Sequence, residues 1–335
     1  MDNRISGKLE RRQITYAKRG LGAALLAASF WGLNGVLLGI VYLMAPFSAA
    51  AGLYAPSLVQ AAVHDGFGCL WAFLKNLWSG KWIEYLRVLK TRPGKVICLA
   101  AICGGPLAMS GYILGINLAG APYALPISAL CPCVGSMLAA VFLKERILPR
   151  VWLGIFLGII GAILVSYAPP SDEVRPHFYL GIGLSLLATI GWGLEGVLST
   201  YGLDLVDSSV AVGVKYLPSL VVYLVVILPL FSAYPFMGEL LLEGRTMLFL
   251  GGTAMAGAAS VFLWYKALNM TGVGRTMALD TTYVLWGMLF TWAFSKLGVI
   301  EFQFTPTLVV GALIIVSGVI LVVANPKDML KMRNV

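Results

Sequence analysis

Charge is what this chain of 335 residues has least of: aspartate, glutamate, lysine and arginine together make up 12% of it, and histidine occurs twice. A soluble domain carries about 25% charged residues to keep its surface hydrated, so a water-soluble globule of this length is excluded. Acidic side chains are the scarcer kind, 15 against 24 basic, for a formal net charge of +9. Such an excess suits nucleic acid or an anionic membrane surface. Here the basic residues gather just outside apolar runs, which favours the membrane and leaves no role for nucleic acid. Cysteine is sparse, and Cys69, Cys98, Cys103, Cys131 and Cys133 all fall in apolar stretches. Cys131-Pro132-Cys133 has no His or Cys partners at metal-ligand spacing. All five read as small packing residues, and neither a metal nor a cofactor is expected. The N-terminus does not read as a cleavable signal either, because its basic stretch leads into a full-length apolar run with no small-residue cleavage site.

What the chain has is apolar length: 59% hydrophobic residues and a mean hydropathy of +0.86. A hydrocarbon core of about 30 Å takes about 20 apolar residues per helix. The apolar runs are 20–44, 50–74, 96–118, 122–143, 151–169, 178–200, 209–233, 246–269, 274–296 and 307–324. The expected fold is therefore an all-α polytopic membrane protein with ten transmembrane helices and no sizeable soluble domain. The second run is interrupted by His64 and Asp65, and Asn117–Pro122 reads as a tight turn between the third and fourth. Lysine and arginine set the orientation. Arg4, Lys8, Arg11, Arg12, Lys18 and Arg19 precede the first run; Lys75, Lys81, Arg87, Lys90, Arg92 and Lys95 follow the second; Lys144, Arg146 and Arg150 follow the fourth. The segments after the first and third runs have none. Both termini are thus expected on the cytoplasmic side, with the chain in an inner membrane.

The two halves repeat. Trp31-Gly32-Leu33-Asn34-Gly35-Val36-Leu37 returns as Trp192-Gly193-Leu194-Glu195-Gly196-Val197-Leu198, with only Asn34 and Glu195 exchanged. Asn117 and Gly120 return as Asn269 and Gly272, and Gly154 and Gly161 as Gly311 and Gly318. The expected organisation is a basic segment 1–19, a first repeat 20–169, a second repeat 178–324 and a tail 325–335. Five spans per repeat invert the second copy. Consistently, the segment after the seventh run has Glu239, Glu243 and only Arg245 where its counterpart is basic. Inverted repeats around a central site are a recurring transporter architecture.

Ionisable side chains within hydrocarbon are costly and mark sites. Glu195 lies three residues after Trp192 and so shares its helix face; Asn34 shares a face with Trp31 in the same way. If the first and sixth spans face each other, two tryptophans, an amide and a carboxylate converge on one cavity. Asp280, with Thr276 and Tyr283 on its face, reads equally as a second polar contact, a proton site or a partner for Arg275. His64-Asp65 reads as a proton relay or as an interhelical lock extended by Gln60, with the lock favoured. Lys215 and Lys266 are expected near cytoplasmic ends, snorkelling. Trp78, Trp82 and Trp152 are expected in the interfacial belt. Tyr112, Tyr123, Tyr265, Tyr283 and Trp286 hold inward positions beside Trp31 and Trp192. A carboxylate among aromatic faces suits an organic cation, which each desolvated ring attracts by about 2 kcal/mol. With no mid-membrane lysine or arginine apparent to receive a carboxylate, the balance tilts from zwitterions toward a cation. Pro106, Pro122, Pro126, Pro132 and Pro218 allow kinks, and the glycines of the fifth and sixth runs allow close packing.

Phe30–Gly35, the Leu-Lys-Glu-Arg ending of the fourth run (Leu143–Arg146) and the glycine-spaced fifth and tenth runs resemble the EamA-type members of the drug/metabolite transporter superfamily. The resemblance implies ten helices, cytoplasmic termini and a central cavity lined by spans one, three, four, six, eight and nine. Within that superfamily, Trp192–Gly196 together with His64-Asp65 is similar to the bacterial choline-permease branch, where an aromatic cage with an acidic residue holds choline and the proton-motive force drives uptake. The basic segment 75–95 departs from that pattern. The expected function is secondary active transport of choline or a similar quaternary ammonium, with substrate contacts from Trp31, Asn34, Tyr112, Trp192, Glu195, Tyr265, Tyr283 and Trp286 and a coupling network of Glu195, Asp280, His64 and Asp65. The alternative is an exporter of amino acids or related metabolites. An enzyme would need a catalytic constellation, and none is present in the sequence; a homodimer is left open.

Overall fold

The computed structural model describes residues 2–50, 52–142, 149–167, 177–203, 206–271 and 273–323, and every regular element among them is helical. Helix α1 (Asp2–Ile40) joins the basic N-terminal stretch and the first apolar run into one rod. Next come α2 (Ala55–Trp78), the short α3 (Trp82–Val88) and α4 (Arg92–Ile102). A wide-turn π-helical segment, Cys103–Met109, joins α4 to α5 (Ser110–Ala119). Pro106 lies inside that segment and removes a backbone donor, so the turn opens there.

The tight turn expected near 117–122 is made by one residue. Gly120, at φ 100°, separates α5 from α6 (Ala121–Ser128), a conformation only glycine adopts freely. The chain continues through α7 (Cys131–Phe142), α8 (Pro149–Tyr167), α9 (Phe178–Leu203) and α10 (Ser208–Val222). A second π segment, Tyr223–Ile227, leads to α11 (Leu228–Leu230) and α12 (Tyr234–Leu242). The last elements are α13 (Gly244–Thr271), α14 (Val273–Asp280), α15 (Tyr283–Lys296) and α16 (Pro306–Val323).

Among the described residues, six stretches are long and apolar enough to cross a bilayer: Thr15–Leu43, Arg92–Ala119, Ala121–Leu138, Phe178–Ser199, Ser208–Leu230 and Gly244–Ala267; Pro149–Val165 and Pro306–Val322 are shorter apolar helices. The chain is therefore an all-α, multi-pass membrane protein. The ninth run is broken at Thr281-Thr282, whose hydroxyls donate to the carbonyls of Met277 (2.7 Å) and Leu279 (2.6 Å) and compete with the helical ladder. Leu143–Arg146 and the basic residues of the C-terminal tail lie outside the described residues.

Helix α1 packs along α13 and α15, α9 along α4, α5 and α7, and α2 along α10. The tightest seam joins α8 to α16. A methyl on Gly154 would come 2.5 Å from the Gly318 carbonyl oxygen, and one on Gly161 2.7 Å from that of Gly311. The segment 75–95, for which the sequence suggested no role, closes over the start of α10. Lys81 Nζ donates to Asp207 at 2.7 Å, Asn76 donates to the Ser209 carbonyl at 3.0 Å, and buried Tyr85 lies against Gly213.

Candidate functional site

Glu195 lies in the second half of α9, and facing it on α10 stands Lys215, with Nζ 2.5 Å from Oε1. Their side chains are 10% and 16% exposed. A desolvated charge is tolerated only when paired, so each requires the other. This corrects two expectations. Lys215 does not snorkel outward but points inward from the middle of α10, and the interior does hold a fixed cation. The second oxygen of Glu195 rests against Gly104 in the π segment, and Trp192 Nε1 donates to the Gly104 carbonyl at 3.1 Å. A side chain at position 104 would fill the space that the carboxylate takes.

The repeated tryptophans meet. Trp31 and Trp192 lie edge to face with ring centroids 5.6 Å apart. Tyr112 backs both, stacked on Trp31 at 6.0 Å and tilted on Trp192 at 5.0 Å. Beside them is a cavity of about 100 Å³. Of the expected substrate contacts, Trp31, Trp192, Glu195, Tyr265 and Tyr283 line it, and so does Asp280. Asp280 has no ion-pair partner among the described residues, and the Arg275 side chain lies outside them. Tyr112 stands behind the lining rather than in it. Trp286 does not line the cavity and stacks with Phe290 at 6.3 Å. Asn34 is turned aside as well: it is fully buried, and its Oδ1 accepts from His64 Nε2 at 3.2 Å.

His64 and Asp65 belong to a separate buried network. Asp65 Oδ2 accepts from Ser219, and Asp65 Oδ1 lies 3.4 Å from His64 Nδ1. Gln60 does not extend it, because its amide donates to the Leu38 carbonyl at 2.8 Å. Nearby, the Tyr223 hydroxyl donates to the Gly105 carbonyl at 3.2 Å and contacts Ser110 at 2.9 Å. The π segment thus lies between two polar clusters, with Gly104 under Glu195 and Gly105 under Ser219.

Sequence reasoning missed Lys215, Trp264, Ser260 and Met277 among the lining residues. Trp264 carried a readable signal: counting back five residues from Asn117 and from Asn269 gives Tyr112 and Trp264, so the repeat register pairs them. Its buried Nε1–H has no acceptor among the described residues. Lys215 carried none, because a lone lysine in an apolar run does not declare which way it points.

A second cavity of about 500 Å³ lies further along α1, lined by Val36, Tyr42, Asn117, Thr291, Glu301 and Phe302 among others. Between the two cavities α1 passes Gly35, which the Tyr112 hydroxyl and Leu125 close off. The site therefore combines a buried ion pair, a second carboxylate, aromatic faces and, among the described residues, an indole N–H without an acceptor. In chemistry and size that arrangement suits a small charged molecule.

The chain is 26% identical over 270 residues to Protein LicB of Haemophilus influenzae, a match covering 81% of this chain and 87% of LicB. A solved crystal structure of a protein shares the fold, with TM-score 0.55 and 18% identity over 88% of this chain and 95% of that one. Residues 18–167 and again 179–324 match the EamA-like transporter family, and the chain belongs to that family.

Proposed function

We propose that this protein is a secondary active transporter of a small organic cation, choline or a similar quaternary ammonium, working by alternating access between two inverted five-helix halves and coupled to the proton-motive force. The observation that carries the reading is the cavity in which Glu195 sits among Trp31, Trp192, Tyr265 and Tyr283. A quaternary ammonium offers no N–H donor, so its recognition rests on aromatic faces and a compensating carboxylate. The unfilled Trp264 N–H suits an oxygen on the same ligand, such as an alcohol. Helix pairing supports the two-half reading: the first helix of each half packs on the third of the other, α1 on α13 and α9 on α5. The block at Gly35 supports a barrier of the kind alternating access needs.

Lys215 favours a second reading. A fixed ammonium beside Glu195 is what a zwitterion's carboxylate would seek, which keeps the amino-acid transporter in view. Uptake of radiolabelled choline into proteoliposomes separates the readings. Saturable uptake that Glu195→Gln abolishes supports the cation reading, and equal uptake by the variant and the parent removes Glu195 from the site. Thermal stabilisation by an amino acid but not by choline supports the zwitterion.

A further inference from the structure

One carboxylate in this cavity has two claimants. Glu195 Oε1 holds the Lys215 ammonium, and Oε2 is packed beside Gly104. A cationic ligand that reaches Glu195 must displace the ammonium or share its partner, and the cavity of about 100 Å³ leaves little room for sharing. We propose that Lys215 is a tethered competitor of the substrate: it holds the place of the substrate's positive charge on Glu195 in the empty carrier and yields it when the substrate binds. The inference rests on the cation reading of the site.

Three observations make the exchange workable. Lys215 is built on a neighbouring helix rather than on α9, so its long flexible stem can move without disturbing Glu195. Asp280 lines the same cavity, so the displaced ammonium keeps a carboxylate within the site and is not stranded in hydrocarbon. Finally, Lys215 and Ser219 stand four residues apart on one face of α10, and tie it to Glu195 of α9 and Asp65 of α2 respectively. Replacing the ammonium with a free cation therefore unfastens α10 from α9 while the Asp65 tie remains. Occupancy of the site and the position of α10 are linked by this pair.

A competitor lowers apparent affinity by the fraction of carrier in which the carboxylate is already taken. The test titrates tetramethylammonium and choline calorimetrically into the purified full chain, comparing the parent with Lys215→Gln and Lys215→Arg. Lys215→Gln should bind both cations about tenfold more tightly, as expected when nine carriers in ten have the pair closed. The gain should vanish in Lys215→Gln combined with Glu195→Gln. Lys215→Arg, whose guanidinium holds a carboxylate through two hydrogen bonds, should bind cations more weakly than the parent, and it carries the test alone if Lys215→Gln does not fold. Cation binding that is unchanged or weaker in Lys215→Gln, or unchanged or tighter in Lys215→Arg, overturns the competitor role and leaves the cation reading standing. Binding of a zwitterion but of neither cation, lost in Lys215→Gln, overturns both and makes Lys215 a carboxylate receptor.

Discussion

Gly104 leaves the space that the Glu195 carboxylate fills: a β-carbon at that position would overlap Oε2. The contact joins the π segment of Cys103–Met109 to the charged wall of the cavity, so backbone geometry in one helix sets a side-chain position in another. Gly104→Ala should displace Glu195 from Lys215, cost about 1–3 kcal/mol as overpacking does, and abolish the thermal shift that the proposed cation site should show with choline. Gly183→Ala is the comparison, since nothing lies within 4 Å of the β-carbon it adds. Melts of both variants with and without choline decide it: an intact ligand shift in Gly104→Ala would show that Glu195 does not depend on this contact.

The His64–Asp65 pair faces helix partners and not the cavity, which favours a lock over a proton relay. Asp65 is 4% exposed and is tied to Ser219. Ser219→Ala leaves a buried acceptor short of a partner and should cost about 1–3 kcal/mol. His64→Gln can still donate to Asn34, and as a lock residue it should change the pH profile of uptake little. A shifted or flattened profile in His64→Gln proteoliposomes would return the pair to a role in coupling.

Much of this was legible in the sequence because repetition survives as spelling. The Trp31 and Trp192 motifs predicted that the first and sixth helices carry matching faces, and their rings meet. The Gly154, Gly161, Gly311 and Gly318 register named the residues of the α8–α16 seam before their partners were known. The repeat makes Asn34 the counterpart of Glu195, but the amide can be satisfied by His64 and turns toward it, whereas the carboxylate requires a cation and finds Lys215. The direction of a single lysine is decided by rotation about α10, and no spacing within one span encodes it. The role of segment 75–95 was equally silent, because Lys81 and Asp207 are far apart in the chain and meet only when α10 is in place.

That contact between Lys81 and Asp207 lies outside the spanning helices and has a pH signature. Partial burial alone raises the Asp207 carboxyl, but hydrogen bonds from Lys81 and Ser209 outweigh it and lower the pKa from 3.8 to about 2. A folded-state value below the unfolded one means that the stabilisation is complete above the unfolded value of 3.8 and is lost as pH falls through about 2. Asp207→Asn should therefore melt below the parent at neutral pH, and the gap should close between about pH 4 and pH 2. The gap should be small and salt-sensitive, because the paired side chains are 41% and 43% exposed. A gap that widens on acidification would place the stabilising partner elsewhere.

At the closest points of the seam between α8 and α16 backbone meets backbone, Gly154 against Gly318 and Gly161 against Gly311, with the Val322 and Ile315 side chains packed alongside. In a bilayer such close approach is the main attraction between helices, because lipid tails are as apolar as the residues they replace. Gly161→Leu should push the helices apart and lower the melting temperature strongly. Gly22→Leu, at a position with nothing within 4 Å of the added β-carbon, should leave the melt near that of the parent. If the seam serves only as scaffold, a milder Gly161→Ala should lower stability while the midpoint of choline binding stays within about twofold, a change worth only about 0.4 kcal/mol. A larger change in binding from this distant pair would make α8 and α16 part of the moving machinery.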